Sequence, residues 1–373
     1  MNTSLSKTKF VFLLVASIFI TSYACKNTNV DQITNNENMS PVDPLATQNT
    51  LSTGLCGYLH TATLCTNDLD NIKKFYVDGM GMTLSDPISL SESQKQAQKE
   101  LWSLPDDIDY SYYHLSRETV PSLIQIRLLV FKEKMPSIHD SYNSLELGPF
   151  SLGFPNMDQK SLDKRLLSMD IEAMADMQEG TIPRADGTTY RYWETIYKGP
   201  DYLHCVGIER GDGMPQLTPC DTITKLGGPG YSAQVIEDSD NYLRFMTEVL
   251  DLELRADRNW DASPGSALGI PEGTPFRFAL VYAKGSNQNH FLFLDFTESD
   301  MIDTGVAPRI PHLGLGAWTV ETSDINKILE NANKFGAKKI VGPIDYQSPI
   351  YGSAKVITMH APNGFLIEVF QKN

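Results

Sequence analysis

The sequence predicts an α+β fold assembled from four similar βαβββ units, and three observations carry that prediction. A strand, an acid and an amphipathic helix recur in that order, with the acids at Asp68, Asp158, Asp238 and Asp324, separated by 90, 80 and 86 residues. Whole segments match as well: TNDLDNIKKFYVDGMGMTL (66–84) runs parallel to IEDSDNYLRFMTEVLDLEL (236–254), each with a phenylalanine, Phe75 or Phe245, seven residues after its acid. Finally, the closing stretch NGFLIEVFQ (363–371) alternates bulky apolar residues in the manner of a strand covered on both faces. Glu368 stands on one of those faces beside Leu366 and Phe370, and a carboxylate buried without a partner costs several kcal/mol.

The first 24 residues read as an export signal rather than as part of the fold. Lys7 and Lys9 precede the apolar run Phe10 to Ile20, and small residues lead to Cys25. Eleven apolar residues are too few to span a bilayer. Ser22-Tyr23-Ala24 before Cys25 can be read as a signal-peptidase site, giving a soluble periplasmic or secreted protein. It can also be read as a bacterial lipobox, in which Cys25 carries a lipid, although Ser22 stands where such motifs usually have Leu. Residues 25–54 are rich in Asn and Thr and lack a periodic apolar face, as expected of a flexible tether, and this favours the lipid anchor.

A formal net charge of −15 and a pI of about 4.9 disfavour attraction to nucleic acid or to anionic lipid. The expected partner is a small-molecule ligand, with membrane contact only through the lipid. Four further cysteines follow Cys25. Cys56 and Cys65 flank one extended segment and stand too far apart to bond; Cys205 and Cys220 are better placed, and small buried thiols are the simpler expectation.

The units can be followed along the chain. After the first helix, SLPDDIDYSYYHLS (103–116) and SLIQIRLLVF (122–131) supply strands, matched in the third unit by GIPEGTPFRFALVY (269–282) and HFLFLDF (290–296). The second and fourth units begin at SLGFPNMDQKSLDKRLLSMDIEA and GLGAWTVETSDINKILENANKFGA, again strand, acid and helix. With HTATLCTNDLDNIKKFY at the start and PNGFLIEVF at the end, the chain from about Gly57 onward resembles the vicinal oxygen chelate superfamily. That superfamily includes glyoxalase I, bleomycin-resistance proteins, methylmalonyl-CoA epimerase and the extradiol dioxygenases. The resemblance implies paired modules whose curved sheets enclose a pocket. Consecutive modules are expected to pair: one domain over 55–212, a linker over 213–227 and a second domain over 228–373.

The resemblance also implies where a metal would sit, between residues of the first and last strands of paired modules, usually His or Gln on the former and Glu on the latter. Seven residues before the acids stand Thr61, Ser151, Tyr231 and Ala317, none of them histidine; His60 would need a one-residue bulge to face inward. Last-strand counterparts are Gln125, Cys205 or Val206, Asp295 and Glu368. On the expected pairing, Tyr231, Asp295 and Glu368 converge as the candidate catalytic group, while His60 and Gln125 line the other pocket. Three readings of the two carboxylates stay open: a site for a hard divalent cation such as Mg²⁺ or Mn²⁺, a metal-free pair sharing a proton, or two acids satisfied by Arg or Tyr within the fold. The missing first-strand histidines argue against an iron-dependent ring-cleaving dioxygenase.

His312, in RIPHLGLG, is a candidate at the pocket mouth, whereas His360 and His290 lie at a turn and a strand start, and the aromatic run YSYYHLS reads as sheet core. The functional expectation is a pocket handling a small organic molecule, either by lyase or isomerase chemistry of glyoxalase type or by metal-free sequestration as in bleomycin-resistance proteins. Because the tether offers no apolar face, lipidation would be the only membrane attachment. Cys25→Ser is therefore expected to move the protein from the membrane fraction to the soluble one. Wild-type protein found wholly soluble with an unmodified Cys25 would remove the anchor.

Overall fold

The computed structural model describes residues 53–183, 188–214, 216–286, 289–296 and 298–373. Cys25 and the signal segment lie outside the described residues. No described helix is long and apolar enough to cross a membrane.

Four modules follow one another. The first comprises β1 (Cys56–Thr66), α1 (Leu69–Ile72, wound on as a π-helical segment over Lys73–Gly79), β2 (Thr83–Leu84), an added helix α2 (Glu92–Trp102), β3 (Tyr110–Ser116) and β4 (Gln125–Phe131). The second has β5 (Gly148–Asn156), α3 (Gln159–Ser168), β6 (Gln178–Pro183), β7 (Thr189–Lys198) and β8 (His204–Arg210). The third has β9 (Tyr231–Val235), α4 (Ser239–Arg244), β10 (Glu253–Asp261), β11 (Pro275–Tyr282) and β12 (His290–Asp295). The fourth has β13 (Gly314–Thr322), α5 (Ile325–Phe335), β14 (Lys338–Ser348), β15 (Gly352–His360) and β16 (Leu366–Lys372). The four recurring acids all do the same job. Asp68, Asp158, Asp238 and Asp324 each accept a hydrogen bond from the backbone N–H three residues on, capping the helix that follows.

The strands form two eight-stranded sheets, ordered β14-β15-β16-β13-β1-β4-β3-β2 and β10-β11-β12-β9-β5-β8-β7-β6. The expected pairing of consecutive modules is therefore corrected: the first module pairs with the fourth, and the second with the third. The physical reason lies in the first strands. β1 pairs antiparallel with β13 on one side and parallel with β4 on the other, and β5 does the same with β9 and β8. Each first strand thus has both edges taken, and the division into 55–212 and 228–373 would strip one edge from each.

Three large apolar clusters hold this arrangement. The largest lies between the helix-bearing faces of the two sheets and contains Trp318, Phe291, Phe293, Phe154 and Tyr242 together with side chains of α1, α3, α4 and α5. Trp318 on β13 packs on Phe291, Phe293 and Phe365 and donates from Nε1 to Ser232 Oγ at 3.0 Å, tying one sheet to the other. The second and third clusters fill the opposite, concave faces. Ala97, Leu101 and Trp102 of α2 enter the first cup, while Ala262, Ala267, Leu268 and Ile270, from the loop joining β10 to β11, enter the second.

The module pairing predicts how fragments behave. A fragment of residues 55–212 leaves the inner edges of β1 and β5 open, so it is expected to aggregate or self-pair rather than fold as a monomer. Sedimentation and thermal unfolding of that fragment check this; a monomer with a cooperative transition would contradict the cross-paired architecture.

Candidate functional site

Strand register identifies the positions that face each cup. Thr61 and Thr63 on β1 stand opposite Gln125 and Arg127 on β4, and Ala317 and Thr319 on β13 stand opposite Leu366 and Glu368 on β16. Across the β1/β13 seam, Thr63 pairs with Ala317 and Thr61 with Thr319. Arg127 and Glu368 consequently occupy corresponding places in the first and fourth modules, each opposite the residue five before its helix-capping acid. A cation and an anion therefore face each other across the seam.

Their contact is direct. Arg127 Nη2 donates to Glu368 Oε1 at 2.8 Å, and both side chains are completely buried. The carboxylate also accepts from Trp102 Nε1 at 2.8 Å, Thr319 Oγ1 at 3.0 Å, Tyr351 Oη at 3.3 Å and Arg127 Nη1 at 3.4 Å. Arg127 stacks over the Trp102 ring at 5.0 Å and donates further to Tyr112 Oη and Thr63 Oγ1, both at 3.3 Å. Burial alone would raise the Glu368 pKa; the guanidinium and the other donors together hold it below the usual carboxylate range, and Glu368 in turn raises that of Arg127.

The helix α2 completes this closure. Ser91 and Gln94 form a capping box at its start, Gln98 Nε2 donates to Tyr346 Oη at 2.6 Å, and Thr358 Oγ1 donates to the Leu101 carbonyl at 2.5 Å. Five donor hydrogens reach the two oxygens of Glu368, leaving no lone pair directed at a further ligand. A divalent cation would also meet the Arg127 charge. The donor set does not fit the Mg²⁺ or Mn²⁺ considered from the sequence, and among the described residues no group of three or more His, Cys, Asp and Glu could hold a metal ion.

The remaining candidates are dispersed. Asp295, expected beside Glu368, belongs to the other sheet and to its helix-bearing face, because strand alternation sets it opposite to His290, Leu292 and Leu294. Its Oδ2 accepts from the backbone N and Oγ of Ser239 at 3.2 and 2.6 Å, at the start of α4. The proposed triad of Glu368, Asp295 and Tyr231 is thereby overturned: two of its members face the second sheet's two sides and the third lies in the first cup. His60 does sit in the first cup. A register shift between Leu59 and Thr61 bulges β1 there, and the His60 ring lies 5.0 Å from Phe370 and 6.1 Å from Tyr351, with Nδ1 at 2.8 Å from Thr61 Oγ1. Gln125 is bound to His114 Nε2 at 2.7 Å, in the same cup. His312 is occupied by its own loop, Nδ1 lying 2.6 Å from the Ala307 carbonyl. None of the described cysteines, Cys56, Cys65, Cys205 and Cys220, is in a disulfide.

The second cup is built differently. At the places corresponding to Arg127 and Glu368 it has Val206 and Leu292, facing Gly153 and Ala233. One step earlier in each last strand come His204, opposite Ser151, and His290, opposite Tyr231. Last-strand alignment from sequence passes over both histidines in favour of Cys205 or Val206 and of Asp295; of these, Val206 is the one that faces the cup. Tyr231 lies across Gly153, whose missing side chain makes the room: a Cβ there would stand 1.9 Å from the ring. His290 is sandwiched between Tyr231, at 4.9 Å and 10°, and Tyr282, at 5.1 Å and 29°. Burial and then the Arg210 charge push the His290 pKa down to about 3, so the ring is neutral at physiological pH. Tyr282 Oη and His290 Nδ1 are buried and make no hydrogen bond to any described residue.

Removing one member of the first cup's ion pair should cost stability and not binding. Glu368→Gln leaves Arg127 buried without its counter-charge, for an expected loss of about 3–5 kcal/mol, and Arg127→Met should behave alike, whereas Arg127→Met with Glu368→Leu should recover most of it. Because the folded pKa of Glu368 is depressed, the stability it contributes is complete above the unfolded carboxylate value and disappears as pH falls through the folded one. Denaturant titrations from neutral to acid pH should therefore show the gap between wild type and Glu368→Gln closing only below the ordinary carboxylate range.

No family model and no curated protein matches the chain. Solved structures do. Glyoxalase I from Zea mays is 16% identical with a TM-score of 0.52, over 84% of this chain and 92% of that one, and a variant of the same enzyme gives 15% and 0.53 over 84% and 93%. A putative dioxygenase from Bacillus subtilis is 12% identical with a TM-score of 0.50, over 86% of each chain. At such identities the likeness speaks for architecture alone. Cross-paired βαβββ modules in two curved eight-stranded sheets, together with this likeness of architecture, give the chain a glyoxalase-like fold of the vicinal oxygen chelate type.

Proposed function

We propose that the protein binds a small organic molecule in the second cup without a metal held by Glu368, and that the first cup is scaffold. The observation that carries this reading is the contrast between the two interiors. In the first, every polar group around Glu368 is answered; in the second, Tyr282 Oη and His290 Nδ1 lie buried with no described partner. Leaving a buried polar group unanswered costs about 1–3 kcal/mol, so such groups persist where a ligand or water completes them. The binder would act outside the cytoplasm, on the tether that follows Cys25, a placement supported by the N-terminal pattern of charge, apolar run and small residues.

One observation supports the alternative of lyase or isomerase chemistry. Glu194 on β7 is buried, and after burial itself its charge is the next cause of the raised Tyr231 pKa. A carboxylate beside a phenol could move a proton on a bound molecule. Turnover of bound ligand that disappears in Glu194→Gln while binding remains would establish that alternative over simple sequestration.

The test of binding is a thermal-shift screen of chemically diverse fragments, repeated with Tyr282→Phe/His290→Phe. Because the double variant removes two unsatisfied polar atoms, its unliganded midpoint is expected to hold or rise while the fragment shifts vanish. Chelator should leave the wild-type shifts unchanged. Shifts that survive in the double variant, or that require added metal, would place the function elsewhere.

A further inference from the structure

The insertions that close the two cups stand at the same place in their modules but are fastened differently. In the first cup, α2 is tied to β14, β15 and β16. Trp102 Nε1 donates to Glu368 at 2.8 Å, Gln98 Nε2 to Tyr346 Oη at 2.6 Å and Gln94 Nε2 to the Gln347 carbonyl at 2.7 Å, while Thr358 Oγ1 donates to the Leu101 carbonyl at 2.5 Å. In the second, residues 262–274 form a loop whose ends are pinned to each other. Ala262 N–H donates to the Thr274 carbonyl and Gly273 N–H to the Ala262 carbonyl, both at 2.8 Å, continuing the β10/β11 hairpin. Between these ends the loop bonds to itself: Ser266 N–H to the Ser263 carbonyl at 3.1 Å, Gly269 N–H to the Ser266 carbonyl at 2.9 Å and Thr274 N–H to the Pro271 carbonyl at 3.2 Å. Among the described residues, its one hydrogen bond to the rest of the fold is from Ser144 Oγ to the Leu268 carbonyl, at 2.5 Å. Ala262, Ala267, Leu268 and Ile270 join the apolar cluster that also contains Tyr282 and Leu292, whereas Pro264, Gly265 and Pro271 to Gly273 lie exposed. Gly265 and Gly273, with φ of +65° and +79°, have open space where a Cβ would stand, so they serve the loop's turns and not its packing.

We infer that residues 262–274 are a displaceable plug: the loop swings out about its 262/274 neck, and a molecule with an apolar body takes the places of Leu268 and Ile270 in the second cup. This rests on the small-molecule reading of that cup and adds how the molecule enters and which part of it is apolar. A loop that is pinned at its neck and bonded within itself leaves as a unit, because its departure breaks few backbone hydrogen bonds. What holds it in is apolar contact and the Ser144 latch. Plug and ligand compete for one apolar surface, so apparent affinity is the affinity for the open cup multiplied by the fraction of molecules with the loop out. Removing the latch or shrinking the plug raises that fraction. The helix α2, bonded to three strands, has no such freedom.

The probe is 2-naphthol, an apolar bicycle with a single hydroxyl, followed by its own fluorescence in stopped flow and by amide hydrogen exchange on the full chain. Ser144→Ala is expected to bind it several-fold more tightly than wild type, and Leu268→Ser/Ile270→Ser at least tenfold more tightly, each with faster association. In wild type saturated with 2-naphthol, the amides of 263–273 should exchange faster than in the free protein while those of β9 and β12 slow. Unchanged or weaker binding in Ser144→Ala, or loop amides that slow on binding as under a closing lid, would overturn the plug. Binding seen only in the variants would support it, as a plug too firmly seated in wild type. No binding of 2-naphthol to any of the three proteins would overturn it, and fragment shifts still abolished by Tyr282→Phe/His290→Phe would then leave the cup a binding site. Absence of fragment shifts in wild type and in both variants would instead remove the underlying reading. Ser144→Ala changes a single hydroxyl, so a folding failure of the double serine variant leaves the test standing.

Discussion

The buried pair of Arg127 and Glu368 sets a condition that much of the first sheet has to meet. Neither charge tolerates the interior alone, and a guanidinium on β4 can reach a carboxylate on β16 only if the first and fourth modules share a sheet. The β1/β13 seam supplies that geometry, and α2 supplies the cover that excludes water, placing Trp102 against both partners. Once the pair is dry, its remaining hydrogen-bonding capacity must also be met, which accounts for Thr63, Tyr112, Thr319 and Tyr351 all turning toward it. Polar contacts here fix which strands meet; the apolar cluster between the sheets fixes how firmly.

Duplication explains how one chain can hold two such different interiors. Both cups arise from the same strand order and both are filled from an insertion between the second and third strands of one module, a helix in one case and a loop in the other. At corresponding places one has Arg127 and Glu368 and the other Val206 and Leu292. A satisfied ion pair under a packed helix is a rigid interior. In the other, aliphatic side chains stand beside Tyr282 Oη and His290 Nδ1, buried polar atoms without a described partner.

Much of the architecture was legible in the sequence because it rests on local signals. The spacing of Asp68, Asp158, Asp238 and Asp324 is a spacing of helix caps, and period-2 alternation marks strands whichever neighbour they choose. Which modules pair is a non-local choice between first strands, and the similar units give β1, β5, β9 and β13 similar edges. Consecutive pairing was the natural reading, and the structure takes the other. The site followed the pairing: Glu368 was singled out correctly as an anomalous charge, but its partner was sought in the third module. Arg127 carried the same signal, a charge inside the apolar run QIRLLVF, and reading both anomalies together would have joined the first module to the fourth. His290 was masked for another reason. Alignment by the acid of FLFLDF placed Asp295 inward, whereas the actual register sets that acid on the helix-bearing face, where it bonds Ser239.

Asp295 and Glu368 show why burial alone does not identify a functional acid. Both are buried, yet each is satisfied by neighbours whose positions the fold itself dictates: a helix start for one, a guanidinium at the corresponding place of the paired module for the other. A group completed by the fold contributes stability and specificity of pairing, and ligand chemistry needs a group the fold leaves incomplete. By that criterion the proposed binding site rests on Tyr282 and His290 rather than on the acids. There Gly153 gives way so that Tyr231 can lie flat against His290, and the neutral imidazole is held between two phenols. Stacking of that kind orients the ring without using its nitrogens, leaving Nδ1 free of any described partner while its plane is fixed.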